Sequence, residues 1–148
     1  MNSSDDVRRA IEARCLAALA RREYSRAELA AKLDGFPAED IAAVLDTLAE
    51  RGWQSDARFA ASYLRGHHGY GRLKMRHELE QRGIRGELLR DTLDSADWFA
   101  AARDVYQKKY SAPATTPQER AKRQRFMAQR GFSYEEIQQA MTATQDEA

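Results

Sequence analysis

Two basic segments are where this chain can do chemistry. The first holds Arg65, Arg72, Lys74, Arg76, Arg82, Arg85 and Arg90 against Glu78, Glu80 and Glu87, with Tyr70 beside them. The second holds Arg120, Lys122, Arg123, Arg125 and Arg130, with no acid between 120 and 130. Cations with an aromatic neighbour suit a phosphate backbone or an acidic protein surface. The plain alternative for each is a solvated helix face. Arginine far outnumbers lysine, and its planar fork favours bidentate contacts to phosphate or carboxylate. Arg72 and Arg76 are one helical turn apart and share a face. At about 100° per residue the second set spreads around its helix, so part of it must face solvent or a partner.

Other chemistries are poorly supplied. The histidines are His67, His68 and His77, and the sole cysteine, Cys15, is remote from them in sequence. A zinc site needs four ligands at suitable spacing. No nucleophile elbow, phosphate-binding glycine loop or dinucleotide fingerprint occurs. Gly69-Tyr70-Gly71 is too short to cradle a phosphate and reads as a turn opening the next helix. Glu78 and Glu80 are two apart, so they diverge on a helix and read as solubilising charges. The expectation is no catalytic residue, no metal and no cofactor. Cys15 lies in the longest apolar run, the six residues 15–20, and reads as a packed thiol. Spanning a bilayer takes about 20 residues, so no membrane segment is expected. The opening Met-Asn-Ser-Ser-Asp-Asp lacks the features of a signal peptide, and a lone cysteine fits a reducing compartment. Both point to the cytoplasm.

The elements that position these residues follow from a repeat. Gly35, Gly83 and Gly131 are spaced 48 residues apart, each followed by an apolar residue (Phe36, Ile84, Phe132). Glu39, Glu87 and Glu135 keep the step, as do Ile41, Leu89 and Ile137, and then Leu45, Leu93 and Met141. Five columns in register across three copies mark a tandem array. Valine and isoleucine are scarce, no segment alternates like a strand, and apolar residues recur at three and four. Helices are expected near 5–22, 26–33 and 38–51, near 56–66, 71–82 and 85–95, and near 98–110, 118–130 and 133–144. Ser25 with Glu28, Thr116 with Glu119 and Ser133 with Glu136 have capping-box form. The repeated glycines fall at helix ends, where a left-handed conformation is needed.

The fold expected is all-α, an elongated tandem array of three three-helix repeats, with units at 1–54, 55–96 and 97–148. The units carry 8 basic and 10 acidic residues, 8 and 6, and 8 and 7, so only the first is net acidic. Apolar stripes (Ile41, Val44, Leu45, Leu48; Leu89, Leu93; Ile137, Met141) each need a partner from the preceding helix. Leu29 and Leu33, Met75 and Leu79, and Phe126 and Met127 supply it. Trp53 and Trp98 read as packing at unit junctions. Pro113 and its small neighbours read as a mobile loop, and 145–148 as an unpacked tail.

At this point the residues match a family. Gly69-Tyr-Gly-Arg-Leu-Lys-Met-Arg-His-Glu-Leu-Glu-Gln-Arg-Gly-Ile84 resembles the central signature of the bacterial RecX family, modulators of the RecA recombinase. Asp56 to Arg65, Arg123 to Ile137 and Ala18 to Leu29 are similar to the family's flanking, C-terminal and N-terminal blocks. One departure is visible: Leu33 and Gly35 are two residues apart, against four in the other units, and the basic-Gly-Phe ending becomes Asp34-Gly35-Phe36. Any basic contact there is in doubt. The resemblance implies a protein that lies along the groove of the RecA–DNA filament and hinders ATP hydrolysis and strand exchange; a monomer is expected because no long apolar stripe is left over. The partners it implies are the RecA filament and DNA, single- or double-stranded and weakly held alone. Charge placement, not a carried-over site, puts the contacts at Arg65, Tyr70, Arg72, Lys74, Arg76, Arg82, Arg85, Arg120, Lys122, Arg123, Arg125 and Arg130. Two other readings compete: a winged-helix-like DNA-binding transcriptional regulator, from the rhythm of the first unit, and a generic helical adaptor.

Overall fold

A computed structural model describes residues 3–147, and among them the chain forms nine α-helices and no strand. In chain order these are α1 (Ser3–Leu19), α2 (Arg26–Ala31), α3 (Ala38–Glu50), α4 (Asp56–Gly66), α5 (Arg72–Gln81), α6 (Gly86–Asp94), α7 (Trp98–Lys109), α8 (Pro117–Gln129) and α9 (Tyr134–Glu147). All bounds fall within three residues of those expected from the sequence. The largest differences are at α1 and α9. Helix α1 ends at Leu19 and not at 22, because Arg22 turns back over the Tyr24 ring at 3.6 Å and bonds the Glu23 carbonyl and Glu28. Helix α9 runs on to Glu147, past the expected end at 144; the side chains of 144–148 lie outside the described residues.

Packing is triplet by triplet: α1 and α2 on α3, α4 and α5 on α6, α7 and α8 on α9. Three cores result. The first gathers Ile11, Cys15, Leu29, Leu33, Val44, Leu45 and Leu48. The second gathers Phe59, Met75, Leu79, Ile84, Leu89 and Leu93, and the third Ala102, Tyr106, Met127, Phe132, Ile137 and Met141. The repeat's apolar columns are these cores. The chain exposes 9148 Å², where a compact monomer of 16.8 kDa exposes roughly 7,600 Å². The excess is what an array loses by burying each unit only against its neighbours. No helix among the described residues is long and apolar enough to cross a membrane.

The middle helices of the units join end to end. The Gly71 N–H, at the N-cap of α5, donates to the Arg130 carbonyl at 2.6 Å, and the Leu73 N–H donates to the Gly131 carbonyl at 3.2 Å. So the last carbonyls of α8 satisfy the orphan donors of α5. At the next junction the Ser25 hydroxyl, N-cap of α2, donates to the Arg82 carbonyl at the end of α5 at 2.7 Å. The same hydroxyl accepts from the Glu28 N–H, and Glu28 accepts from the Ser25 N–H, completing the capping box. Helices α8, α5 and α2 thus form a spine against chain order, with each negative helix end facing the next positive one.

The repeated glycines serve these joints. All three are left-handed, at φ 98°, 85° and 96°. At Gly83 and Gly131 the pair of bonds Gly83 N–H to Glu80 and Ile84 N–H to Leu79, repeated as Gly131 to Ala128 and Phe132 to Met127, closes a Schellman motif. A side chain at Gly131 would strike the Lys74 backbone, and one at Gly83 the Ala27 Cβ. At Gly35 nothing among the described residues lies within 4 Å. Gly71 has an ordinary backbone, but its missing Cβ lets Gly131 and Phe132 approach.

Trp98 packs at the junction expected of it, and several other packing expectations are corrected. Trp98 is buried in the second core and donates to the Leu93 carbonyl at 2.8 Å, so it links units two and three. Trp53 does not pack at a junction; it is 45% exposed under Arg51. Gln54 takes the junction instead, donating to the Tyr24 carbonyl and Asp56. The 111–115 segment is pinned: Ala114 is buried and Arg123 donates to the Ala112 carbonyl. At Thr116 the cap forms, the Glu119 N–H donating to the Thr116 hydroxyl, and the Glu119 carboxylate accepts from the Thr115 N–H and hydroxyl.

Two outcomes follow. Gly71→Ala forces a Cβ into backbone and should cost about 2–3 kcal/mol, the scale of overpacking. Gly35→Ala meets only the left-handed penalty of roughly 1–2 kcal/mol, so urea unfolding should rank the first variant below the second. Asp40, buried at the start of α3, accepts from Arg8 at 2.8 Å and Ser4 at 3.0 Å, which holds its carboxyl below the usual carboxylate range. A lowered carboxylate contributes fully above its unfolded pKa and loses that contribution as pH falls through the folded one. Wild type should therefore exceed Asp40→Asn in thermal midpoint at pH 7, with the gap closing below about pH 4.

Candidate functional site

The two basic segments differ in how much of their charge is free. In the first, acids within the segment and beyond it neutralise much of it. Arg72 pairs with Asp94 at 2.8 Å and Arg76 with Glu80 at 3.0 Å. Arg82 donates to the Glu78 carboxylate and carbonyl, both at 2.9 Å, approaches Glu28 at 3.8 Å and lies over the Tyr63 ring at 4.6 Å. Its own carbonyl receives Ser25, so Arg82 is part of the joint between units one and two. Glu78 and Glu80 thus serve different arginines, as their spacing implied. Lys74 sits over Tyr70 at 4.4 Å. Arg65 and Arg85 are exposed and have no ion pair among the described residues.

An aromatic ladder backs this segment. Tyr63 stacks on His67 at 3.9 Å, and His67 tilts against Tyr70 at 5.0 Å. The His67 Nδ1–H is directed at the Tyr63 carbonyl at 2.8 Å, which fixes the ring at the turn between α4 and α5. Burial raises the Tyr63 phenol above its usual value. Tyr70 is therefore a fixed, half-buried member of the ladder, with Lys74 over one side.

The second segment divides cleanly. Arg123 is inward: its Nη1 donates to the Tyr106 hydroxyl at 2.8 Å and to the Ala112 carbonyl at 2.7 Å, and its guanidinium lies over Tyr110 at 4.3 Å. Arg130 lies over Phe126 at 5.1 Å, while its carbonyl joins α5. Arg120, Lys122 and Arg125 are exposed on α8 without an ion pair among the described residues. The nearest acid in sequence, Glu119, is engaged by Thr115, whose backbone N–H holds its carboxyl below the usual range. Uncompensated charge on α8 is thus carried by Arg120, Lys122 and Arg125, which at about 100° per residue spread around its exposed surface.

Between units two and three an open cleft of about 840 Å³ unites the two segments. Leu64, Met75, Trp98, Ala101, Val105 and Phe126 form its apolar lining, and Arg65, Lys108, Lys109 and Arg130 its cationic rim. Asp97, which caps α7, and Asp104 are the acids along it. Sequence reasoning missed Lys108 and Lys109, which sit in the last turn of α7, where cations also suit the helix dipole. It missed two large exposed side chains, Leu73 and Tyr134, both 72% exposed, each within three residues of the Gly71–Gly131 joint. Their signal was available: the same columns hold the small residues Ala38 and Gly86 where the third unit has Tyr134. Cys15 is buried, and burial raises its thiol, so it is a packed thiol. Among the described residues no three of His, Cys, Asp and Glu cluster as metal ligands.

The fold and surface define a class: a tandem three-helix-repeat protein with a basic flank along the later units. Comparison with known proteins gives the family. Models of the second and third three-helix domains of RecX match residues 55–93 and 95–141. A regulatory protein RecX of Chromohalobacter salexigens is 45% identical over 129 residues, covering 83% of this chain and 85% of its own. One of Pseudomonas entomophila is 44% identical, covering 80% and 81%, and one of Neisseria meningitidis 38% identical, covering 94% of each. The crystal structure of RecX from Lactobacillus salivarius superposes with a TM-score of 0.82 over 95% of this chain and 98% of that one; at 18% identity it speaks for the fold alone. The chain belongs to the RecX family of regulatory proteins.

The division of α8 is testable. Arg123→Ala removes two hydrogen bonds and a cation–π contact and should cost about 1–3 kcal/mol in chemical unfolding. Arg125→Ala should change stability by no more than about 0.5 kcal/mol.

Proposed function

We propose that this protein regulates homologous recombination and DNA repair by lying in the groove of the RecA–DNA filament, where it hinders ATP hydrolysis and strand exchange. Membership of the RecX family, across nearly the full length of its relatives, carries the reading. The array supports it physically. A tandem repeat offers a long surface to a long polymer, and its basic flank suits the polyanionic face of a nucleoprotein filament. The contacts fall on two sets of side chains. Arg120, Lys122 and Arg125 lead, because their charge is uncompensated; Arg65 and Arg130 line the cleft, Lys74 lies over Tyr70, and Arg85 is exposed at the start of α6. Arg72 and Arg76 join only by exchanging Asp94 and Glu80 for a phosphate or a partner carboxylate. Arg82 and Arg123 act by holding the units. The protein works as a monomer in the cytoplasm, as a binder and not a catalyst, and holds DNA weakly without RecA. The winged-helix alternative lacks support, since the first unit passes from α3 through Gln54 into α4 with no strand among the described residues.

The test is RecA's DNA-dependent ATPase. Substoichiometric protein should depress it, and no effect at any ratio would end the proposal. Arg120→Glu with Arg125→Glu should weaken inhibition on the order of tenfold, equivalent to about 1.4 kcal/mol, while leaving the thermal midpoint nearly unchanged. Direct phosphate contact requires affinity to fall steeply with salt; a flat response assigns the contact to protein alone.

A further inference from the structure

The first unit carries a groove that its net charge conceals. It lies between the second half of α1 and α2 and has a volume of about 400 Å³. Cys15, Leu29 and Leu33 form its floor, and Ala17 and Ala18 its wall. Arg14, Arg21 and Lys32 rim it, and every charged residue lining it is a cation. All three are exposed. None makes an ion pair among the described residues: Arg14 lies over Phe36 at 5.2 Å and Lys32 over Tyr24 at 5.4 Å. Meanwhile Asp40, Glu28, Asp46, Glu12 and Glu23 are engaged by Arg8, Arg22, Arg26, Arg51 and Arg58. These five acids are thus held by other arginines, and no acid lines the groove.

We propose that this groove docks an acidic segment of a protein partner that places a bulky apolar side chain on the Leu29–Leu33 floor and carboxylates on Arg14, Arg21 and Lys32. The floor is aliphatic, so it rewards an apolar side chain through burial. The rim rewards carboxylates through charge-assisted hydrogen bonds. A nucleic acid fits less well. Base binding needs an open aromatic face, and the one aromatic lining residue, Tyr24, is buried with Arg22 over its ring at 3.6 Å and Lys32 at 5.4 Å. The groove owes its opening to α2, six residues long against ten in α5 and thirteen in α8. Near it Gly35 meets no neighbour among the described residues. This site is separate from the basic flank of units two and three and does not rest on the filament reading.

The full chain is titrated by fluorescence anisotropy with a labelled peptide Glu-Glu-Leu-Leu-Glu-Glu-Leu-Phe, with the Ala-substituted peptide Glu-Glu-Ala-Ala-Glu-Glu-Ala-Ala and oligothymidylate as comparisons. Saturable binding is expected, at least tenfold weaker for the Ala-substituted peptide. The triple variant Arg14→Glu, Arg21→Glu, Lys32→Glu should lose at least tenfold in affinity. Ala17→Trp, at an exposed helix position, should do the same by filling the mouth without changing charge; circular dichroism verifies both folds, and the second variant decides if the first fails to fold. No binding up to about 1 mM, equal binding of the Ala-substituted peptide, or undiminished binding by both variants overturns the proposal. So does oligothymidylate that binds more tightly than the peptide and is lost in the same variants, since that makes the groove a nucleic-acid face. RecA inhibition that survives in the triple variant leaves the filament reading intact while the docking site is judged on its own.

Discussion

One backbone arrangement sets the architecture of this protein: the end of each later middle helix lies against the start of the one before. The carbonyls of Arg130 and Gly131 receive the N–H groups of Gly71 and Leu73, and the carbonyl of Arg82 receives the hydroxyl of Ser25. A helix end leaves unsatisfied groups that must find partners. Here two complementary sets satisfy one another, which joins the units and aligns their dipoles in one move. No side chain can substitute at Gly131 or Gly71 without separating the backbones. The left-handed turn at Gly131 also sends the chain directly into α9, so a single residue ends one helix, meets a neighbouring unit and opens the next.

That arrangement explains which charges are available. At the joint of units one and two Arg82 reaches Glu78 and Glu28, and within unit three Arg123 ties α8 to Tyr106 and the Ala112 carbonyl. Arg120, Lys122 and Arg125 have no such demand and keep their charge for solvent or a partner. The first unit departs from the others in the same way. Helix α2 is short, the groove beside it is open, and three cations surround an aliphatic floor. A repeat array therefore has different surface chemistry from unit to unit, even though its units share one pattern.

Much of the fold was legible in the sequence. Period-48 columns became three cores because an apolar stripe at helical spacing has one way to hide: against the helices of its own unit. Ser25–Glu28 and Ser133–Glu136 formed capping boxes because those reach only three residues along the chain. The site was legible in composition but not in state. Spacing brought Arg72 and Arg76 to one face, yet did not reveal that Asp94, more than twenty positions along, meets Arg72. Trp53 was misplaced for a similar reason: its partner in space is Arg51, and the joint it was expected to fill is held by Gln54.

By itself the sequence determined the helices, their caps, the threefold register and the left-handed glycines, because each of these is set by interactions within a few residues or by a repeat that can be counted. Only the tertiary structure decided that the spine runs against chain order, which arginines are spent on internal carboxylates and carbonyls, and where apolar surface stays open beside free charge. Those outcomes depend on groups far apart in the chain meeting in space, and a hydrogen bond or ion pair exists only when both partners arrive within about 3–4 Å of each other.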